Sequence, residues 1–167
     1  MTDTLVLLCG LIQNDLALTD GHVFIFNQKV DPKVLKDPGV FVCAQYLGTK
    51  TVGQNPTYRF DGVQYWEDRA TNISQLVQLD VFSRNTDAMT AYIQVMACLN
   101  GQTGNEMQQS SAMSIQRNPD VNNLSDPDGE AIPYRFVITM RVSRLWTQSV
   151  PALWYDHGFV PSVITNP

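Results

Sequence analysis

The second half of the chain alternates two long β patterns with one well-delimited helix, and this arrangement restricts the fold more than any other feature. Residues 71–83 alternate apolar and polar side chains as a half-buried strand does, and residues 133–147 repeat the pattern. Between them, residues 85–100 have the apolar periodicity of a helix, and Gly101 follows as a stop signal. A polar loop, residues 118–131, precedes the second strand. The pattern predicts an α+β unit with an antiparallel or mixed β-sheet.

The rest of the chain adds a second flanking helix, further strands and a hairpin. The predicted elements are a helix at residues 4–18, strands at 23–26 and 40–52, a short strand at 110–117, and a β-hairpin arm of residues 57–60 and 63–66 around Asp61-Gly62. We expect residues 1–147 to form a single α+β domain. Residues 148–167 contain three prolines and are expected to form an extended C-terminal tail.

Composition restricts the function classes. The net charge is −5, and Lys and Arg occur singly, so the basic patch that sequence-independent DNA binding requires is absent from the sequence. Charged residues make up only 16% of the chain, which fits either a protein whose surfaces are covered by neighbours or a polar surface rich in Asn, Gln, Ser and Thr. The three cysteines lack metal-ligand spacing, which predicts free, buried thiols. No run reaches the ~20 apolar residues of a membrane span, and no signal peptide is expected.

The sequence offers few candidates for chemistry. A calcium site could use Asp126, Asp128 and Glu130, although Asp-Pro-Asp-Gly is also an ordinary turn sequence. His22 and His157 lack an evident nucleophile, which favours hydrogen-bonded or exposed loop histidines. Glu67 and Asp68 are neighbours on a predicted strand, so their side chains are expected on opposite faces. No catalytic, metal-binding or cofactor-binding residue is therefore predicted.

Candidate interface residues are more numerous. Aromatic residues next to chain breaks are typical interface anchors, although they could equally close the two ends of the core, and the second helix has a flatter stripe of small residues beside its bulkier one. The candidates are Tyr65, Trp66, Ala88, Ala91, Val95, Trp154, Tyr155 and Phe159.

The chain resembles the neck and tail terminator proteins of tailed bacteriophages. The resemblance covers residues 71–147. It lies in the strand Gln75-Leu76-Val77-Gln78-Leu79-Asp80-Val81-Phe82, the helix opening Asp87-Ala88, the loop Asn118-Pro119-Asp120, and the strand Pro133-Tyr134-Arg135-Phe136-Val137-Ile138-Thr139-Met140-Arg141-Val142.

This resemblance implies a structural, non-enzymatic virion protein, assembled in the host cytoplasm. It implies a ring, typically a homohexamer, that caps the tail tube at the phage neck. The implied partners are the tail tube protein, the head–tail connector and, in a contractile tail, the sheath. DNA would pass through the lumen without specific binding, and no membrane is involved. The alternatives are another tail-tube, head-closure or connector ring component, and, from a different class, a small metal-binding or enzyme domain that uses the 126–130 loop.

Overall fold

In the part of the chain that the structure describes, a six-stranded mixed sheet is combined with three helices, which confirms the α+β prediction. The structure is a computed structural model that describes residues 2–27, 36–126 and 134–152. In chain order the elements are α1 (Thr4–Asp15), β1 (Val23–Ile25), β2 (Phe41–Phe60), β3 (Tyr65–Ser83), α2 (Ala88–Asn100), α3 (Gln102–Ser110), β4 (Met113–Ile115), β5 (Asp120–Asn123) and β6 (Tyr134–Pro151).

Three long antiparallel strands form the centre of the sheet. The strand order is β1-β2-β3-β6-β4, and β5 also pairs with β6. Among the described strands, β1 and β2 form a parallel pair and every other pair is antiparallel. At about 3.3 Å per residue, the 19 residues of β3 span roughly 60 Å. This length exceeds what the three helices cover.

The core lies between one face of the sheet and the helices. The predicted alternation is confirmed, because Val77, Leu79 and Val81 of β3 point to the helices and are fully buried. Leu8 and Ile12 of α1 pack into the same cluster. Burying each such aliphatic side chain contributes about 1.5–3 kcal/mol, so this cluster supplies most of the stabilisation of the fold.

Local signals set the helix ends. Asp3 caps α1, since its carboxylate accepts a hydrogen bond from Leu5 N at 2.8 Å. The helix α2 begins three residues later than predicted, because Asn85 Oδ1 accepts a hydrogen bond from Asp87 N and forms a turn there. The predicted stop after Asn100 is confirmed.

Two elements were not expected from the sequence. The helix α3 follows Gly101 directly, although the prediction placed only two helices in the fold. Gly104 lets α3 pack against the end of α2, because a Cβ there would lie 2.5 Å from Cys98 O and 2.6 Å from Leu99 O. The strand β5 lies in the predicted polar loop and pairs with β6 from Asp120–Thr139 to Asn123–Phe136.

The hairpin arm is confirmed and is much longer than predicted. Residues 40–52 and 57–60 are one strand, β2, and residues 63–66 and 71–83 merge into β3. The strand β6 also continues to Pro151, so residues 148–151 belong to the sheet and not to a tail, because β3 supplies hydrogen-bond partners as far as Trp66. The rest of the predicted tail, residues 153–167, lies outside the described residues.

Candidate assembly surface

Part of the sheet extends beyond the helices, and most of its side chains are exposed on both faces. We call it the arm and define it as residues 47–60 of β2, 65–73 of β3 and 144–151 of β6, with the connecting turn 61–64. Every β2 side chain from Leu47 to Phe60 is exposed. Exposed apolar side chains are concentrated there, namely Leu47, Val52, Tyr58, Phe60, Val63 and Leu145. A patch of this kind is typical of a contact surface.

The tip of the arm is an ordered turn organised by Asp61. Its carboxylate accepts hydrogen bonds from Gln64 N at 2.9 Å, Trp66 Nε1 at 2.7 Å and Val63 N at 2.8 Å. These donors favour the ionised form and lower the pKa of Asp61 to about 2. Gly62 has a φ of 99°, a conformation that L side chains rarely adopt. The predicted Asp-Gly turn is therefore confirmed, with the aspartate fixing the turn.

The predicted aromatic pair Tyr65 and Trp66 lies at this tip, on opposite faces of the arm. The Tyr65 ring packs against Phe60, with ring centroids 4.7 Å apart. The Arg59 guanidinium lies over the Trp66 ring, 5.6 Å from the ring centroid, in a cation–π contact. Both aromatic residues are half-buried, so each one braces its face of the tip.

Four charged residues near the tip form two ion pairs within the arm. Arg59 Nε lies 2.8 Å from Asp68 Oδ2, and Arg69 Nη2 lies 2.8 Å from Glu67 Oε2. The Ser149 hydroxyl also donates to Asp68, which ties β6 to β3. These hydrogen bonds lower the pKa of Asp68, mainly through Ser149, and of Glu67, through Arg69. Glu67 and Asp68 have separate partners, as their opposite directions on the strand predicted.

The small-residue stripe of α2 is not an exposed surface. Ala88, Ala91 and Val95 point into the core of the chain itself and are 0%, 3% and 0% exposed. This placement corrects the prediction that they contact a neighbour. The sheet covers this stripe because small and β-branched residues allow close packing, whereas only part of the bulkier neighbouring stripe is exposed. Met89 and Ile93 of that stripe are 50% and 55% exposed.

The other three interface candidates, Trp154, Tyr155 and Phe159, lie outside the described residues. The same is true of His157 and of most of the 126–130 loop, from which only Asp126 is described. Within ranges 2–27, 36–126 and 134–152, no group of three His, Cys, Asp or Glu residues could hold a metal ion.

His22 has a structural environment. It is buried, its Nδ1 lies 3.0 Å from Val40 O, and its ring stacks on Phe41 with centroids 4.4 Å apart. Gly39 lies against the ring, since a Cβ there would be 2.8 Å from His22 Cε1. The histidine therefore joins the loop before β2 to the sheet, in agreement with the prediction of a hydrogen-bonded loop histidine.

The three cysteines are free and buried, as predicted. Burial is the main cause that raises the pKa of Cys9 to about 12, of Cys43 to about 11 and of Cys98 to about 12. At neutral pH these groups are protonated thiols that pack as small apolar side chains.

Sequence reasoning missed the apolar residues along the arm. Leu47 and Val52 lie where the β2–β3 register shifts, between Tyr46 and Gly48 and between Thr51 and Gly53. A bulge inserts a residue and breaks strict alternation, so period-two counting ends the strand there. The useful signal was the pair of glycines Gly48 and Gly53, each next to an apolar residue.

No protein-family model matches the chain, and no curated protein matches it either. In the part of the chain that the structure describes, none of the helices is both long and apolar enough to cross a membrane.

Proposed function

We propose that this chain is a structural, non-catalytic subunit of a tailed-phage virion, similar to the terminator ring at the neck. It would assemble with copies of itself, typically six, at the end of the tail tube. It would contact the tail tube protein below, the head–tail connector above and, in a contractile tail, the sheath. The ring would form in the host cytoplasm and let DNA pass through its lumen.

The observation that carries this proposal is the arm. A three-stranded ribbon with both faces largely exposed buries little apolar surface by itself, whereas the helix-covered part of the sheet already has a complete core. Val52 and Val63 are 70% and 89% exposed, so they contribute no burial of apolar surface to the stability of a free monomer. An arm of this kind is useful to a protein that contacts other subunits.

The charge distribution favours a protein that lets DNA pass and does not bind it tightly. Arg59 and Arg69 are each held by a carboxylate, so their charge is offset before a phosphate could approach. With a net charge of −5, the chain lacks the excess of cations that non-specific DNA binding uses.

Native mass measured by light scattering, from micromolar to millimolar concentration, tests this proposal. The informative variant deletes residues 55–60 and 65–70, which removes six residues from each strand. Gln54 and Thr71 pair opposite each other just as Phe60 and Tyr65 do, so the turn 61–64 keeps its phase. We expect the full-length chain to form a closed oligomer as concentration rises. The shortened variant should self-associate more weakly, with an intact core by circular dichroism, because residues 147–151 of β6 lose the β3 residues that they pair with.

A control with and without calcium addresses the different class of function. A chain that stays monomeric at every concentration, and whose melting temperature rises with calcium by mass action, would contradict the ring and favour a small metal-binding domain. Equal oligomerisation of the two forms would contradict the role of the arm.

A further inference from the structure

We propose that neighbouring copies join by edge-to-edge strand pairing, with β2 of one arm hydrogen-bonded to β6 of the next arm. This inference rests on the proposed function, because it takes a second copy of the chain as the partner. It is carried by the directions of backbone groups at the two edges of the arm.

The β6 edge of the arm has outward backbone groups at alternate positions. Leu145 N donates outward to Ala112 O, and Ala152 N donates inward to Tyr65 O. Because backbone groups alternate along an antiparallel strand, Thr147, Ser149 and Pro151 also point outward. Among the described residues, β4 and β5 pair with β6 only as far as Arg144, so the outward groups of Thr147 and Ser149 meet no strand.

The β2 edge has the same property over a longer stretch. Tyr65 and the odd-numbered residues of β3 bond to β6, so the β2 residues opposite them must point away from β3. The register places Thr49, Thr51, Gln54 and Pro56 at such positions. In the part of the chain that the structure describes, β1 covers β2 only from Val42 to Ala44.

The positions of two prolines agree with this assignment and limit the contact. Pro56 and Pro151 both occupy outward positions, where the missing N–H leaves the internal ladder intact. A proline at a strand edge also blocks pairing with another strand. The pairing stretches therefore lie between the helix-covered core and these prolines, at residues 46–55 of β2 and 146–149 of β6.

Further copies of the chain supply a partner for each edge, because a β2–β6 contact uses the two different edges of two neighbours. The two edges lie on opposite sides of one arm, so pairing β2 of one copy with β6 of the next is a head-to-tail contact. Such contacts form a ring when the rotation between neighbours closes, and a closed ring leaves neither edge open. The β6 stretch has no charged residue, and β2 offers only Lys50, so no like charges oppose the pairing. Leu47, Val52 and Leu145 flank the two edges and would be covered together.

Two proline variants, one per edge, test the proposal. Thr49→Pro and Thr147→Pro each remove one outward N–H and leave the β2–β3–β6 ladder intact, and Thr49→Ala and Thr147→Ala are their controls. We expect each proline variant alone to raise the dissociation constant of self-association at least tenfold, and the alanine variants to behave as the unmodified chain. A mixture of the two proline variants retains one unmodified β2 edge and one unmodified β6 edge, so it should form dimers and nothing larger.

The outcomes separate the two proposals. Oligomers that neither proline changes would overturn the edge pairing and leave the ring intact, whereas an unmodified chain that never self-associates would overturn both. An effect of Thr49→Pro alone would indicate pairing of β2 with β2 and would also overturn the head-to-tail contact.

Amide hydrogen exchange gives a second readout that needs no variant. On oligomerisation, the amides of Thr49, Thr51, Thr147 and Ser149 should exchange at least tenfold more slowly. Slow exchange already present in the monomer, and lost when the chain is cut after Ala152, would place residues 153–167 on the edge and overturn the pairing between copies.

Discussion

Two β-branched residues of one helix lie on different sides of it, one facing the core and the other facing solvent. Val95 is fully buried and Ile93 is 55% exposed, although they lie two positions apart on α2. The change Val95→Ala removes two buried carbon groups at about 0.8 kcal/mol each. The cavity left beneath the sheet raises the expected loss of unfolding free energy to about 2–3 kcal/mol. In a chain of this size, this corresponds to a fall in melting temperature of roughly 4–12 °C.

The matched variant Ile93→Ala should leave the unfolding free energy within about 0.5 kcal/mol, since little apolar surface is lost and alanine is the better helix former. Urea denaturation followed by circular dichroism, at a concentration where the chain is monomeric, measures both values. A loss at Ile93 equal to or larger than the loss at Val95 would refute the assignment of the Ala88, Ala91 and Val95 stripe to the core.

Three further outcomes follow from local geometry. Folding lowers the pKa of Asp61 from 3.8 to about 2. The contribution of Asp61 to turn stability is therefore complete above about pH 4 and is lost as the pH falls through about 2. A carboxyl NMR titration with a midpoint near 4 would disprove this. Gly104→Ala should cost about 1–3 kcal/mol of unfolding free energy, because backbone atoms block its Cβ, while Gly10→Ala, with nothing within 4 Å, should be neutral or stabilising by about 0.5–1 kcal/mol. A thiol reagent at pH 8 should modify the native chain far more slowly than the unfolded chain, and a native thiol reacting as fast as free cysteine would contradict the burial of Cys9, Cys43 and Cys98.

The core of the fold could be predicted from the sequence because its strands obey a simple rule. Val77, Leu79 and Val81 alternate with polar residues, and each side chain has one buried face to occupy. The arm follows a different rule, since neither face is buried and the side chains carry no pattern. Gly53 and Pro56 therefore predicted turns, although one lies beside a bulge and the other at an outward edge position.

The polar elements were missed for a related reason. The sequence of α3 contains Gly104 and few apolar residues, so its periodicity is weak, and only its contact with α2 explains why it is helical. The strand β5 exists because β6 offers it an open ladder, which is a tertiary cause. The exposed side of α2 could not be predicted from the sequence either, because it depends on where the sheet lies.

The unbroken run of β3 from the tip to the core has a mechanical consequence. A pull on the turn along the strand axis loads the hydrogen bonds to β2 and β6 in shear, so many of them must break together before the strand can slide. A sideways pull at the same turn opens them one pair at a time, beginning at Arg59 and Trp66. The arm therefore resists a pull along its length and yields to peeling. A load at its tip reaches Leu79 beneath the helices through the continuous backbone of β3.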